Sequence, residues 1–280
     1  MNHDPKSDKT VESKLRRLHL PERMHPDASD PDASPRRRGI YLLPNLFTTA
    51  SLFAGFYAII AGMRGSYTAA AVAIFIAMVL DAIDGRVARL TGTTSGFGAQ
   101  YDSLADLVSF GIAPALLVYH FALLGLAQYG PVWGRVGWLV AFFYVGATAL
   151  RLARFNARAG TMGKRFFQGL PCPSAAGMIA GMVWLADSLG FTGDGVLVLP
   201  IALLTIFVAL LMMSNLGYYS FKEFKLDRRL AVPTVLIVPL FFICVALSPP
   251  GVLFGAFFLY ALSAPVWWVV RLDRRRRARR

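Results

Sequence analysis

Charged side chains are scarce in this sequence, at 16% of its 280 residues, against about a quarter in a soluble globular domain. Apolar residues make up 56%, and they gather into runs near the roughly 20 residues that a bilayer-spanning helix requires. That pattern excludes one water-soluble core as the organising principle. Cysteine is scarcer still. Cys172 and Cys244 show no metal-ligand spacing and lie in or beside apolar segments, so both read as packed thiols without a redox role. Histidine offers no nucleophile pair: His3, His19 and His25 lie in the polar N-terminal arm, and His120 lies deep in an apolar run, where packing is the plainer role. No apolar stretch opens the chain, so no cleavable signal peptide is expected. Acid is the minority charge, with 16 Asp and Glu against 29 Lys and Arg, a net +13. A basic balance can suit nucleic acid. Here, however, the cations stand at the edges of apolar runs, which fits anionic lipid head groups and not nucleic acid.

The runs predict an all-α, polytopic transmembrane helix bundle of about eight spans, near Leu42–Met63, Tyr67–Ala88, Ser103–Leu126, Gly137–Leu152, Leu170–Leu189, Val196–Leu216, Leu230–Leu247 and Val252–Val270. The fourth is short and is expected to continue past Arg151 toward Asn156. Basic residues crowd alternate connections: Arg86 and Arg89, then Arg151 to Arg165, then Lys222 to Arg229, as well as Arg36 to Arg38 and the tail from Arg274. The intervening loops are almost bare of Lys and Arg. The positive-inside rule therefore puts the basic side, and with an even span count both termini, in the cytoplasm. Residues 1–38 read as a basic, polar arm, mobile or in part (Val11 to Leu20) a surface helix. Residues 39–272 form the membrane domain, and 273–280 an Arg-rich, lipid-attracting cytoplasmic tail.

The chemistry is carried by the segment Asp81 to Asp106, DAIDGRVARLTGTTSGFGAQYDSLAD. Asp81 and Asp84 are three apart and share one helix face; Asp102 and Asp106 are four apart and share a face on the next helix. A Thr- and Gly-rich turn of about ten residues is expected between them. Such a hairpin brings four carboxylates together near the cytoplasmic end of two spans. Four anions in a partly dehydrated pocket repel one another and need protons or cations to neutralise them. Oxygen-only ligands favour hard divalent ions, Mg²⁺ or Mn²⁺, and a pair of such ions suits the clamping of a diphosphate. Gly85 lies one turn past Asp81, Ala88 one turn past Asp84, and Gly98 one turn before Asp102, so a bulky ligand can lie against the backbone. Arg89, two turns past Asp81, is placed to pair with phosphate. Arg86 points off that face and reads equally well as a solvated loop charge.

These residues fill every fixed position of D-x2-D-G-x2-A-R-x8-G-x3-D-x3-D, and the chain therefore resembles the CDP-alcohol phosphatidyltransferases. Leu43–Thr48, Ser103–Gly111, Arg151–Asn156, Gly169–Pro171 and Ser214–Asn215 are similar to the phosphatidylserine synthase branch of that family. The resemblance implies transfer of a phosphatidyl group from CDP-diacylglycerol to L-serine with release of CMP, in an inner-membrane homodimer whose active site faces the cytoplasm. It implies that Asp81, Asp84 and Asp102 hold metal and that Asp106 stands by the second ion and is the general base. It also implies that Gly85, Ala88 and Gly98 admit the cytidine diphosphate and that Asn45 reaches its phosphates. A serine pocket needs a cation, and Arg151 and Arg154, three apart on one face, offer a fork for the serine carboxylate or the lipid phosphate. The same pair also obeys the positive-inside rule. Two other readings use the same carboxylates. One is a different acceptor (glycerol 3-phosphate, inositol phosphate or choline). The other is a divalent-cation transporter, which would place its carboxylates nearer the membrane midplane on paired halves that this sequence lacks.

Overall fold

A computed structural model describes residues 35–91, 96–157, 166–193, 195–219 and 244–277. By packing, the chain divides into Met1–Gly39 and Ile40–Arg280, and the bundle belongs to the second unit. The described helices are α1 (Pro35–Met63), α2 (Tyr67–Thr91), α3 (Gly96–Asp106), α4 (Ala113–Phe121), α5 (Pro131–Ala157), α6 (Cys172–Ser188), α7 (Val198–Met213) and α8 (Pro249–Arg277). In hydrocarbon every backbone N–H and C=O must be satisfied within the protein, so long apolar runs resolve into helices.

Among the described residues six helical stretches are long and apolar enough to span a bilayer: Asn45–Met63, Tyr67–Thr91, Gly96–Phe121, Pro131–Ala157, Gly195–Met213 and Pro249–Trp268. The protein is an all-α, multi-pass bundle. Of the eight expected spans, Leu170–Leu189 is α6, which at 17 residues reaches roughly 26 Å at 1.5 Å per residue. It can be short because it is packed on nearly all sides, with Cys172 and Ala175 through Val183 buried. Most of the expected Leu230–Leu247, like the arm before residue 35, lies outside the described residues. The third span starts at Gly96, seven residues before the expected Ser103, because the charge of Asp102 does not break a helix that has neither Pro nor an alternative cap there. The connection between α2 and α3 is correspondingly short in sequence. Only residues 92–95 separate the two helices, where a turn of about ten was expected.

Small residues let the helices approach closely, as membrane interfaces favour. Ala58, Ala70, Ala71, Ala77, Ala175, Ala176 and Ala180 are fully buried. At Gly55 on α1, a Cβ would stand 2.7 Å from the Cα of Ser109; at Gly177 on α6 it would strike the Phe257 ring of α8 at 2.7 Å. Between α3 and α4 the helix widens into a π turn, Leu107–Ile112. Pro114 lies in the first turn of α4 and has no N–H to give the Phe110 carbonyl four residues back. The Tyr144 hydroxyl of α5 supplies that bond at 3.1 Å. The π turn is further fixed by Ser109, which donates to the Ser51 carbonyl of α1 at 3.1 Å, while Ser51 donates to Ala77 of α2 at 3.0 Å.

One small ladder interrupts the helices. β1 (Phe166–Gln168) pairs antiparallel with β2 (Gly217–Tyr219), Gln168 opposite Gly217. It ties the start of α6 to the end of α7. Gly169 turns at φ +77, where a Cβ would collide with the Met212 and Ser214 carbonyls. Pro171 caps α6 and Pro173 sits in its first turn, where a proline is tolerated because its N–H would have no helical partner.

Replacing Tyr144 by Phe removes the one hydroxyl that serves the Phe110 carbonyl. We expect a destabilisation of about 1 kcal/mol, between the small mean value of membrane hydrogen bonds and the cost of a buried orphan. Unfolding of the purified protein in detergent checks this; an unchanged midpoint would show that water or backbone relaxation serves that carbonyl instead.

Candidate metal centre

Only residues 92–95 separate the end of α2 from the start of α3, and the acids of the two helices converge. Asp81 on α2 and Asp102 and Asp106 on α3 thereby bring one carboxylate oxygen each to within 4.8 Å of one another, all three residues partly buried. Two oxygens on one hard divalent ion stand about 4–5 Å apart at most, from metal–oxygen distances of about 2.0–2.6 Å. The separation and the oxygen-only donor set therefore fit such an ion.

Asp84 is placed differently. It is 5% exposed and accepts a 2.8 Å hydrogen bond from the Thr48 hydroxyl of α1. It remains close enough for its charge to bear on Asp102 and Asp106. Asp84 thus lies behind the other three, anchored to α1. Thr48 was not singled out from the sequence, although a signal was there. Asn45, Thr48 and Thr49 recur at helical spacing at the start of an otherwise apolar span, and polar side chains in a membrane helix ask for a partner.

Two further tethers position α3. The Thr49 and Tyr101 hydroxyls meet at 2.9 Å, joining α1 to α3. From the other side Asn156 of α5 donates to the Ser103 hydroxyl at 2.9 Å. Asn45 is half-buried on α1, where its backbone carbonyl accepts from Thr49 at 2.7 Å. The face above Gly85 is open: a Cβ there would approach only the Nη1 of Arg89, at 3.4 Å. Ala88 and Gly98 are half-buried on the same hairpin, and Arg86 is exposed.

The two arginines of α5 part company. The charge of Arg151 bears on Asp106. Its Nη1 donates to the sulfur of the fully buried Cys172 at 3.0 Å, and its Nε is buried with no partner among the described residues. A buried donor without an acceptor calls for an explanation, and beside an acidic centre an anionic ligand provides one. Arg154 turns to the end of α7. It donates to the carbonyls of Gln168, Met212, Met213 and Ser214 and to the Asn215 amide oxygen, at 3.2–3.5 Å. A cation there satisfies the carbonyls that a helix C-terminus leaves open. His120 lies on α4, its ring edge-on to Tyr119.

On the membrane side, α1 and α2 enclose an apolar groove of about 800 Å³, lined among others by Leu46, Phe53, Tyr57, Val72, Ile76 and Leu80. Leu80 adjoins Asp81 and Leu46 adjoins Asn45, so the groove begins at the level of the acidic centre.

The family model for CDP-alcohol phosphatidyltransferase matches residues 41–213, the stretch from α1 to the end of α7. A CDP-diacylglycerol–serine O-phosphatidyltransferase of Helicobacter pylori (strain J99) is 34% identical over 233 residues, which cover 83% of this chain and 94% of that protein. One of the same name from Mycobacterium tuberculosis (strain H37Rv) is 39% identical over 161 residues, 55% of this chain and 54% of that one. An archaetidylserine synthase of Methanothermobacter thermautotrophicus is 35% identical over 178 residues, 63% of this chain and 69% of its own. With the acidic hairpin inside the matched region and one relative aligned over almost its full length, this chain belongs to the CDP-alcohol phosphatidyltransferase family.

Proposed function

We propose that the protein transfers the phosphatidyl group of CDP-diacylglycerol to L-serine, giving phosphatidylserine and CMP. The observation that carries this reading is the convergence of Asp81, Asp102 and Asp106 within 4.8 Å, with Asp84 behind them. The choice of serine rests on the names of the relatives and on Arg151. Asp81, Asp84, Asp102 and Asp106 would hold the metal, Asp106 beside the second ion. When bound, the divalent ions, two of Mg²⁺ or Mn²⁺ on this reading, offset the charge that builds on the diphosphate.

The chain's own residues do the rest. Gly85, Ala88 and Gly98 leave room for the nucleotide, Asn45 and Arg89 reach toward its phosphates, and the groove between α1 and α2 takes acyl chain. Arg151 receives the serine carboxylate, which gives its unpartnered Nε an acceptor. Asp106 takes the proton from the serine hydroxyl. The serine oxygen then bonds to the lipid-linked phosphorus, the phosphoanhydride bond opens, and CMP leaves with the electron pair. Displacement is direct, since among the described residues no Ser–His or Cys–His pair stands at the site. Arg154, held by carbonyls, supports the scaffold in this account and leaves acceptor binding to Arg151. Residues 39–272 form the catalytic membrane domain between the arm, 1–38, and the tail, 273–280. We place the site on the cytoplasmic face of the inner membrane, in a homodimer.

The decisive experiment supplies serine, glycerol 3-phosphate, inositol phosphate or choline to purified protein with CDP-diacylglycerol and follows CMP. Serine is expected to react and a chelator to stop the reaction; glycerol 3-phosphate reacting while serine is inert overturns the acceptor. Full activity after the metal is stripped overturns the mechanism. Asp106→Asn should lower kcat by about 10²–10⁴, the range of general-base catalysis, while CDP-lipid binding stays within a few-fold. Asp84→Ala should weaken metal and nucleotide binding together, and equal binding losses in both variants would contradict the separate roles. Arg151→Gln should raise KM for serine by about tenfold or more, the scale of one lost charge-assisted hydrogen bond, and change KM for CDP-diacylglycerol far less; equal rises would move Arg151 to the lipid phosphate.

A further inference from the structure

We propose that the pocket between the end of α7 and the last turns of α8 holds the phosphodiester headgroup of an anionic phospholipid from the surrounding bilayer. None of its lining residues belongs to the acidic centre. The pocket measures about 470 Å³, and its polar wall is made by Ser214, Asn215, Gly217, Trp267, Trp268 and Arg271.

Both sides of the pocket are held in place. After Met213 the chain leaves the helix, with Ser214 extended at φ −64, ψ 159, and Gly217 enters the ladder with β1. The buried Tyr218 then donates its hydroxyl to the Ala261 carbonyl of α8 at 2.9 Å, so strand and helix form one wall.

The wall is rich in donors. Arg154 donates to the Oδ1 of Asn215 at 3.2 Å, which fixes the amide orientation and turns the NH₂ outward as a donor. The Arg271 guanidinium lies over the Trp267 ring, 4.8 Å from its centre. That contact orients the cation, and a guanidinium stacked on a ring can still donate through its N–H edge. Trp267 and Trp268 are both 52% exposed, and an indole can only donate. No carboxylate is among the lining residues. A pocket of guanidinium, indole and amide donors without an acid selects an anion.

Position makes that anion a lipid. The apolar span of α8 ends at Trp268, and paired tryptophans followed by arginine mark the level of the headgroups. From Arg271 to Arg280 the sequence has seven arginines and one aspartate, a local potential that gathers anionic lipid. A soluble phosphate would gain from the donors but not from the apolar indole faces at the headgroup level.

Native mass spectrometry of the full-length protein in neutral detergent tests this, with phosphatidylglycerol, phosphatidylcholine and inorganic phosphate as probes. One phosphatidylglycerol should be retained about tenfold more tightly than phosphatidylcholine, a difference of about 1.4 kcal/mol. Arg271→Gln should erase that preference, and Asn215→Asp, which keeps the partner of Arg154 but puts a negative charge in the wall, should do the same. CMP release by both variants at saturating substrate should stay within twofold. Asp102→Asn should retain phosphatidylglycerol as the parent does. Unchanged retention in Arg271→Gln or in Asn215→Asp overturns the proposal, as does equal retention of phosphatidylcholine. Loss of retention in Asp102→Asn would move the lipid to the acidic centre, and displacement by millimolar phosphate would make the pocket a soluble-anion site; either result also overturns it.

Discussion

Like charges at close range are the constraint to which the rest of the bundle answers. Unit charges 4 Å apart repel by about 4 kcal/mol at the effective dielectric of a protein surface, and Asp81, Asp102 and Asp106 approach within 4.8 Å with Asp84 close by. Without a bound cation or protons to neutralise them, the carboxylates drive α2 and α3 apart. The structure opposes this from three sides. Thr48 holds Asp84 against α1 at 2.8 Å, Tyr101 ties α3 to α1, and Asn156 ties α3 to α5. The repulsion is thus kept as a ready affinity for divalent metal instead of being relieved by movement.

The π turn that follows Asp106 belongs to the same solution. A π turn adds a residue to the helical circuit and is often found at functional sites. Here it lets the rod from Gly96 to Phe121 present Asp102 and Asp106 to α2 while its continuation, α4, packs into the apolar core. Buried Ser109, Phe110 and Gly111 occupy the junction. Gly55 lets α1 come against Ser109, and Tyr144 closes the backbone bond that Pro114 leaves open. Ser51, Ser109 and Tyr144 thus bond across helices around the rod that carries the acids.

How much of this was legible follows from the range of each signal. Helical spacing is local, so Asp81 with Asp84, and Asp102 with Asp106, could be read as shared faces, and apolar run length disclosed the bundle. The split between Asp84 and the other three acids was not legible, because it depends on Thr48, 36 residues earlier in the chain. Arg151 and Arg154 looked equivalent for a similar reason. Three residues apart they share a face in the α5 sequence, but Cys172 draws one guanidinium and the end of α7 the other. The ladder of β1 and β2 is three residues on each side, too short to leave any periodicity. Run length also overstated what a helix needs when neighbours cover it, as α6 shows.

On the proposed reading the acidic centre stands between two unlike approaches. The groove of α1 and α2 opens toward lipid and is almost wholly apolar, suited to a substrate that arrives within the bilayer. Arg151, with a buried and unpartnered Nε, stands on the side of α5 and α6, suited to a small anion from water. A nucleophile and an electrophile delivered by separate approaches can meet in line at phosphorus, and in-line attack needs no covalent enzyme intermediate. The same geometry accounts for the division of the arginines. A cation bound to four carbonyls and an amide, as Arg154 is, is spent on holding the scaffold, and only the one left incompletely bonded can select the acceptor.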